Sequence, residues 1–415
     1  MALPAIVLAV MLGVLVIGSI FLKKVPMAVL LVLTAIIGAV VGGFGVPLRH
    51  LVEGTQLFLV LILTVATGML FMSVLKANGA LDALTRVIVK TFYRTPSLLL
   101  LLLMLLIMLP AMLSGSAPAS VLSTGVLIAP ILIKIGIPAV ETASIIALGS
   151  MYGMIAPPIN IPAMLIGTGV YMPYEGFTGP LLALTFPLAA FSVLYLGRRH
   201  VKQIDKDEIL SEIPDPKSNP FLIHIPLIAV MLYMILKSAF PEIDAGTPFV
   251  FLVGTVLGLF TGKKINFLKV AKESMEGAID VMALFAAVGC FIQITALTGA
   301  RGLLVVASLS LSGILLYLAL AVANPVIGGL LMPFGAAGVL GIPLVMAFQA
   351  HNVIWITSAL TLLMGLGAML PPTAVSALFS AQVVFKNESY LSIIKKSWLP
   401  ELLTIVVGIA AIVVF

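Results

Sequence analysis

Charged residues are scarce in this sequence, which excludes a soluble protein. Only 9% of the 415 residues are charged and 61% are hydrophobic, whereas soluble domains carry about 25% charged residues. Apolar runs such as residues 98–109 do not alternate, as the strands of an outer-membrane barrel would. The composition therefore predicts an all-α polytopic membrane protein.

Groups that carry enzyme chemistry are also few. The single cysteine, Cys290, permits no intrachain disulfide and no thiolate metal cluster. The sequence has no Walker-type phosphate loop, and its four histidines fall near the ends of the predicted spans. We therefore do not expect an enzyme. The net charge of +6 reflects membrane topology, so nucleic acid is not an expected partner.

The basic residues predict how the chain crosses the membrane. The first apolar run, residues 4–21, is followed by Lys23 and Lys24, which is the wrong order for a cleaved signal peptide. In our topology Arg49, Lys237 and Arg301 lie outside, and the other 19 of the 22 lysines and arginines lie inside. This bias predicts a multi-pass protein of the cytoplasmic (inner) membrane, with its N-terminus outside and its central linker in the cytoplasm.

Two interrupted apolar segments point to transport. Residues 113–120 are rich in Ser, Gly and Pro, and 327–337 form a weaker counterpart. Each is followed by a helix-length run that stops at a proline pair, Pro157-Pro158 or Pro371-Pro372. Irregular backbone within a bilayer must be satisfied by protein or by a watery cavity. One such interruption in each half is typical of an inverted-repeat secondary transporter.

We divide the chain into two oppositely oriented repeats, each with a re-entrant helical hairpin and a broken transmembrane helix. Residues 47–56 are expected to form an outer loop, an arm at 263–272 to precede a span at 277–297, and the last span to start at Glu401. The predicted units are the first repeat 1–197 (hairpin about 97–136, broken helix 139–170), the linker 198–219, and the second repeat 220–415 (hairpin about 303–349, broken helix 353–385).

The candidate binding groups are neutral oxygens at these interruptions. Carbonyls and hydroxyls at a broken helix can ligate Na⁺, and the amide end of the following half-helix attracts a carboxylate. Small residues also let membrane helices approach closely, and that structural role is the alternative. In our topology no acidic residue lies at mid-depth, which favours Na⁺ over H⁺ coupling. The candidate substrate ligands are Ser114, Ser116, Ser120, Asn160, Thr373 and Ser376.

These residues resemble the large membrane subunit of the tripartite ATP-independent periplasmic (TRAP) transporters, within the ion-transporter superfamily. The resemblance is clearest over residues 95–180, in the order Ser114-Gly-Ser, Gly153, Pro157-Pro158 and Gly179-Pro180. It implies an elevator carrier with a scaffold, a mobile transport domain and Na⁺-coupled uptake of an organic anion, such as a dicarboxylate or sugar acid. The Na⁺ ligands that it implies are Ser114, Ser116, Gly149 and Gly153 at the first site, and Gly328, Gly329, Gly367 and Pro371 at the second.

The resemblance also implies two protein partners, a four-helix small membrane subunit and an extracytoplasmic solute-binding protein. A self-sufficient anion/sodium symporter that needs neither is the alternative, and a channel or a structural membrane protein is a more distant one. One departure from the family pattern stands at the second interruption. Met332-Pro333-Phe334 occupy positions where family members often have an acidic residue.

Overall fold

The structure is a computed structural model that describes residues 2–22, 24–201, 205–214, 222–311, 313–385 and 389–415. Within these ranges the chain is helical and contains no strand. Lys23 and parts of the predicted linker, 202–204 and 215–219, lie outside the described residues.

The first half ends in a helix that follows a two-part broken helix. Its elements are α1 (Ala2–Phe21), α2 (Met27–Val41), α3 (Leu48–Gln56), α4 (Leu59–Ala77), α5 (Ala80–Phe92), α6 (Pro96–Ser114), α7 (Ala117–Ser120), a π-helical segment (Val121–Gly125), α8 (Val126–Lys134), α9 (Ala139–Ile155), α10 (Ile161–Gly169) and α11 (Thr178–Gly197).

After the short helix α12 (Lys206–Ser211), the second half has elements in a similar order. They are α13 (Ile225–Ala239), α14 (Thr247–Leu259), α15 (Phe267–Leu297), α16 (Ala300–Ser310), α17 (Gly313–Ala336), a π-helical segment (Ala337–Gly341), α18 (Ile342–Ala347), α19 (Val353–Gly365), α20 (Val375–Val384) and α21 (Leu391–Val414).

Eight helices of the described chain are long and apolar enough to cross a bilayer. A multi-pass, all-helical membrane protein is therefore confirmed. The eight are Leu3–Phe21, Leu59–Ala77, Pro96–Ser114, Ala117–Lys134, Thr178–Gly197, Phe267–Leu297, Gly313–Ala347 and Leu391–Val414.

Helices α6 and α8 are the arms of an antiparallel hairpin. Gly115, at φ 68°, ends α6 in the left-handed region, which glycine adopts without a steric penalty. Beyond the turn, the hydroxyl groups of Ser120 and Thr124 both donate to the carbonyl of Ile107. The bonded residues are separated by 13 and 17 positions in the sequence, so the chain folds back along itself here.

Around α15, helices α2, α3 and α4 pack closely. A Cβ on Gly289 of α15 would lie 2.0 Å from the carbonyl oxygen of Gly54 on α3, so only glycines permit this contact. Helix α4 also packs on α14 and on the hairpin arm α6. It therefore joins the group around α15 to the hairpin.

Residues 205–214 define one end of the molecule, called here the linker end. Arg86 of α5 donates to two carbonyl groups of this segment, at 2.9 and 3.1 Å. Lys134, at the end of α8, forms ion pairs with Glu212 at 2.8 Å and Glu208 at 3.5 Å. The linker end thus holds α5 and the base of the first hairpin together.

Several sequence-based boundaries are corrected by the structure. Residues 47–56, expected as a loop, contain the helix α3, and the separate arm and span expected at 263–297 form one continuous helix, α15. The second hairpin cannot start at about 303, because 300–310 form the separate helix α16 and the arm α17 begins at Gly313.

Glu401 also differs from its predicted position. Helix α21 begins ten residues earlier, at Leu391, so Glu401 lies well inside an apolar helix instead of at its end. The hydroxyl group of Ser397, one turn earlier, donates to its carboxylate at 2.5 Å. Glu401 therefore lies within the candidate span Leu391–Val414 and not, as predicted, at the start of a span.

Candidate functional site

The first broken helix is interrupted between Ile155 and Ile161, where the proline pair removes backbone donors. Asn160 spans this gap. Its Nδ2 donates to the carbonyl of Ile155 at 2.8 Å, and its Oδ1 accepts from the backbone N–H of Ala163 at 2.9 Å. The side chain therefore caps the start of α10 and ties it to the end of α9. We call residues 156–160 the first break.

The tip of the first hairpin, Ser114-Gly115-Ser116, uses its hydroxyl groups locally. Ser114 Oγ donates to the Pro110 carbonyl at 2.7 Å and accepts from the Ser116 N–H at 3.2 Å. Ser116 Oγ accepts from the Ala119 N–H at 3.3 Å, as a helix N-cap does. Both hydroxyl groups stabilise the turn, and both side chains are buried.

The first tip packs on the first break. A Cβ on Gly115 would lie 2.2 Å from the side chain of Ile161, the first residue of α10. One on Gly153 would lie 2.5 Å from the carbonyl oxygen of Met108. Gly149 instead faces the side chain of Ile107, seven residues and about 10 Å of helix before Ser114. A Cβ on Gly153 would also lie 3.0 Å from Ala111, three residues before the tip, whereas the other neighbour of Gly149 is Met104. Gly149 therefore lies about one helical turn further along the arm than Gly153.

The second tip lies at Met332, whose φ of 62° and ψ of 158° interrupt α17. Proline follows it, and a residue before proline is disfavoured in the helical region. Gly328 and Gly329, expected as the interruption, are instead helical. Their absent side chains allow contact with the second broken helix: a Cβ on Gly367 would lie 2.0 Å from the carbonyl carbon of Gly328.

Residues 369–374, called here the second break, are held to this arm by Thr373. Its backbone N–H and its hydroxyl group both donate to the carbonyl of Gly329, at 3.1 and 2.8 Å. A Cβ on Gly329 would also lie 2.8 Å from the carbonyl oxygen of Pro371. The four residues predicted for the second cation site, Gly328, Gly329, Gly367 and Pro371, therefore lie together in the structure.

The two broken helices also contact each other. Asn160 Nδ2 donates to the hydroxyl group of Thr361 in α19 at 3.0 Å. A Cβ on Gly365 of α19 would lie 2.9 Å from Ile155, the last residue of α9. Both breaks and both tips thus belong to one packed unit, in which neutral oxygens and the starts of α10 and α20 lie within apolar surroundings.

Several buried polar atoms on the second hairpin arm and the second broken helix have no hydrogen-bond partner. Buried polar groups are normally paired, so such atoms are possible ligands for an ion or substrate. Ser376 was predicted from sequence, whereas the others were missed, although Asn324 lies directly before a proline in an apolar run and so carried a signal. The atoms are Asn324 Oδ1, Thr357 Oγ1, Ser376 Oγ and Ser380 Oγ.

Two predicted substrate ligands are already engaged. The Ser120 hydroxyl group donates to the Ile107 carbonyl across the hairpin, and Asn160 uses both side-chain polar atoms within the protein. The hydroxyl group of Tyr174 accepts from the Asn160 N–H at 3.0 Å, and burial raises the pKa of Tyr174. Ser120 and Asn160 therefore shape the site structurally.

A sequence model of the family described as the tripartite ATP-independent periplasmic transporter, DctM component, matches residues 5–415. The chain belongs to this family. The resemblance drawn from the Ser-Gly-Ser tip and the proline pairs is confirmed, and a DctM component is a transporter protein.

Among solved structures, the DctM-family chain is similar to MtrF of Neisseria gonorrhoeae, which is described as belonging to a class of antimetabolite efflux pumps. The TM-score is 0.57 at 14% sequence identity, covering 89% of this chain and 83% of that one. At this identity the similarity concerns the fold alone. A search of curated protein sequences returned no match.

Proposed function

We propose that this DctM-family protein is the large permease subunit of a TRAP-type carrier that couples Na⁺ to the uptake of an organic anion. The observation that carries the proposal is the pairing of each hairpin tip with a broken helix. In the second pair, Gly328 and Gly367 bring two backbones into direct contact, so carbonyl oxygens from both can converge on one small cation.

Na⁺ is the coupling ion that best fits these groups. Hard cations prefer oxygen ligands, and the tips and breaks offer hydroxyl and carbonyl oxygens. Ser114 and Ser116 serve the first site with Gly153, and Gly328, Gly329, Gly367 and Pro371 serve the second, mainly through their carbonyl groups. Asn324 Oδ1, which has no partner, lies one helical turn before Gly328 and extends that second set.

The anion would bind between the tips, near the starts of α10 and α20. These helices begin at Ile161 and Val375, and free N–H groups at a helix start attract a carboxylate. The unpartnered hydroxyl groups of Ser376 and Ser380 lie in the first two turns of α20. Thr373 precedes α20 but already donates to Gly329, so its role is to hold the tip on the break.

Transport would proceed by an elevator movement within an inverted repeat. We assign α1–α5 and α13–α16 to the scaffold, and α6–α11 and α17–α21 to the mobile group. Both hairpins are re-entrant in this proposal, and the linker end faces the cytoplasm in accordance with the positive-inside bias. Na⁺ binding would order the tips and shift the population toward the loaded, movable state. As in the family's tripartite systems, a small membrane subunit and a solute-binding protein would complete the carrier.

Uptake into proteoliposomes tests this function. We expect accumulation of a radiolabelled organic acid, from a panel of C4-dicarboxylates and sugar acids, when a Na⁺ gradient is imposed with the partner subunits present. Uptake that follows a pH gradient and ignores Na⁺ would contradict the coupling. Na⁺-driven uptake by the DctM chain alone would instead establish the self-sufficient symporter.

A further inference from the structure

A polar cavity lies between the first hairpin and the scaffold, beside the first tip. Its volume is 430 Å³, and α4, the first hairpin and α15 form its walls. Helix α4 touches the hairpin tip at Gly68, where a Cβ would lie 2.6 Å from the carbonyl oxygen of Leu113. The cavity begins beside this contact, at Met69, and extends about 12 Å along α4 to Ala77, on the side toward the linker end.

Lys76 provides a cationic group in the cavity wall. It lies in the last turn of α4, and its Nζ donates to the carbonyl oxygen of Leu122 at 2.8 Å. Leu122 belongs to the π-helical segment Val121–Gly125, a type of distortion that often occurs at functional sites. An ammonium group has three donors, so this bond leaves two for another acceptor.

The acidic groups around Lys76 have other cations beside them. Glu273 lines the same cavity, and Lys269 lies 3.9 Å from it. Asp82 on α5 has a second cation, Lys263, in its surroundings. The hydrogen bond of Lys76 is to a neutral carbonyl group, which an anion can replace with a stronger, charge-assisted contact.

Hydroxyl groups complete the polar lining. Ser73 and Ser123 line the cavity from opposite sides, the scaffold and the hairpin. Ser274 of α15, which is 4% exposed, also belongs to the wall, and its Oγ has no hydrogen-bond partner. Met69 and Met72 supply the apolar part. The lining thus combines one cation, Lys76, with three hydroxyl groups, an apolar wall and one carboxylate, Glu273, which has Lys269 beside it. A small organic acid suits the part of the cavity around Lys76.

We propose that this cavity is a second anion-binding site, which receives the carboxylate group of the transported acid between the tips and the linker end. This inference rests on the proposed function. Lys76 exchanges the Leu122 carbonyl for the carboxylate, and Ser73 donates to it. Ser123, whose hydroxyl group donates to the Ala119 carbonyl at 2.5 Å, exchanges that bond in the same way. Because the walls come from both the scaffold and the mobile group, the site exists only in the arrangement seen here.

Charged thiol reagents test the site without any transport assay. In a Cys290→Ser background, Ser123→Cys places the only thiol in the cavity wall. Two thiosulfonate reagents modify this thiol, one with an anionic sulfonate group and one with a cationic trimethylammonium group. We measure the modification rate with the anionic reagent divided by the rate with the cationic reagent. We expect Lys76→Met to lower this ratio about fivefold, because it removes a positive charge close to the thiol. Lys90→Met, which removes an exposed charge from the neighbouring helix α5, should leave the ratio unchanged.

Ligand protection then identifies the occupant. C4-dicarboxylates at millimolar concentration should slow modification of Ser123→Cys in detergent, and Lys76→Met should abolish this protection while Lys76→Arg retains it. Protection by phosphatidylglycerol but not by dicarboxylates would assign the cavity to a lipid headgroup and overturn the proposal. An equal rate ratio in the Lys76→Met and parent proteins would overturn it as well.

Transport separates this inference from the proposed function. If Na⁺-driven uptake occurs, Lys76→Met should raise the KM for the anion about tenfold and leave the Na⁺ dependence unaltered. Ser274→Ala removes an unpaired buried hydroxyl group and would not destabilise the fold, so a raised KM in this variant supports a binding role. Unchanged KM values in both variants would overturn the second site while leaving Na⁺-coupled transport intact. If dicarboxylates protect Ser123→Cys as expected but uptake does not depend on Na⁺, the proposed Na⁺ coupling is overturned and the second anion site stands.

Discussion

Replacing Gly367 by alanine would force apart the two backbones that meet at the second break. The added Cβ would lie 2.0 Å from the carbonyl carbon of Gly328 and 2.4 Å from the N atom of Gly329, whereas ordinary contact begins at 3.4 Å. The backbones must therefore separate by 3.4 − 2.0 = 1.4 Å at this point. Overpacking of this kind costs about 1–3 kcal/mol, and it displaces the carbonyl groups that we assign to the second Na⁺ site.

Thermal unfolding over a NaCl series, with KCl balancing the ionic strength, measures both effects. The parent protein should gain stability with Na⁺, by about 2.7 kcal/mol at 100 times Kd. For Gly367→Ala we expect a lower Tm than the parent protein in the absence of Na⁺. We also expect the half-saturating Na⁺ concentration to rise at least about tenfold, which corresponds to a loss of about 1.4 kcal/mol of Na⁺ binding free energy.

Gly302→Ala is the matched control, because a Cβ there would have no atom within 4 Å. The control should keep the parent response to Na⁺ and lose no stability, since alanine is the better helix former. A Gly367→Ala protein with the same Na⁺ response as the parent would refute the assignment of a cation site to this contact.

Three further substitutions test separate parts of the account. Glu141 is buried, forms an ion pair with Lys396 at 2.7 Å and lies 3.6 Å from His200 Nε2. Glu141→Gln should destabilise the purified protein by about 1 kcal/mol, since Lys396 is half-exposed, and an unchanged Tm would contradict this. Burial raises the pKa of Asp82, so the folded state binds more protons than the unfolded state and stability falls as pH rises above about 4. Asp82→Asn should therefore be neutral or stabilising at pH 7, and a lower Tm there would be the contrary result. Ser376→Ala should keep the fold stable while Na⁺-coupled uptake falls; uptake at the parent level would show that the Ser376 hydroxyl group binds neither ion nor substrate.

The first tip and both breaks were readable from sequence because their local chemistry determines the backbone. Proline pairs remove donors and end α9 and the α19 segment, while glycine between two serines permits the left-handed turn at Gly115. The family resemblance also followed from these residues. The hydrogen-bond partners of these residues could not be predicted in the same way. The sequence does not show that Asn160 caps α10 and also donates to Thr361.

The second hairpin was harder to predict. Gly328 and Gly329 were interpreted as an interruption, although their role is close helix packing against Gly367, which does not require a broken helix. The interruption falls at Met332, and its signal was the following Pro333. Helix α16 was assigned to the hairpin because it is apolar, and apolar content alone does not distinguish a hairpin arm from a separate short helix.

Glu401 shows that the start of a membrane helix is also difficult to predict from sequence. Our topology starts the last span at Glu401, after Lys395 and Lys396. The structure begins α21 at Leu391 and pairs Lys396 with Glu141 of α9. A basic residue that has a tertiary partner therefore does not mark the end of an apolar helix.

The distance between the scaffold and the mobile group tests the central claim most directly. In a Cys290→Ser background, spin labels at Val256→Cys on α14 and Leu182→Cys on α11 span the two groups, and labels at Leu182→Cys and Val413→Cys lie within the mobile group. By pulsed electron paramagnetic resonance, the account predicts that Na⁺ with the transported anion shifts the first distance distribution and leaves the second unchanged. A first distribution that stays the same in Na⁺, in K⁺ and with the anion would contradict a carrier whose tips and breaks move together across the scaffold.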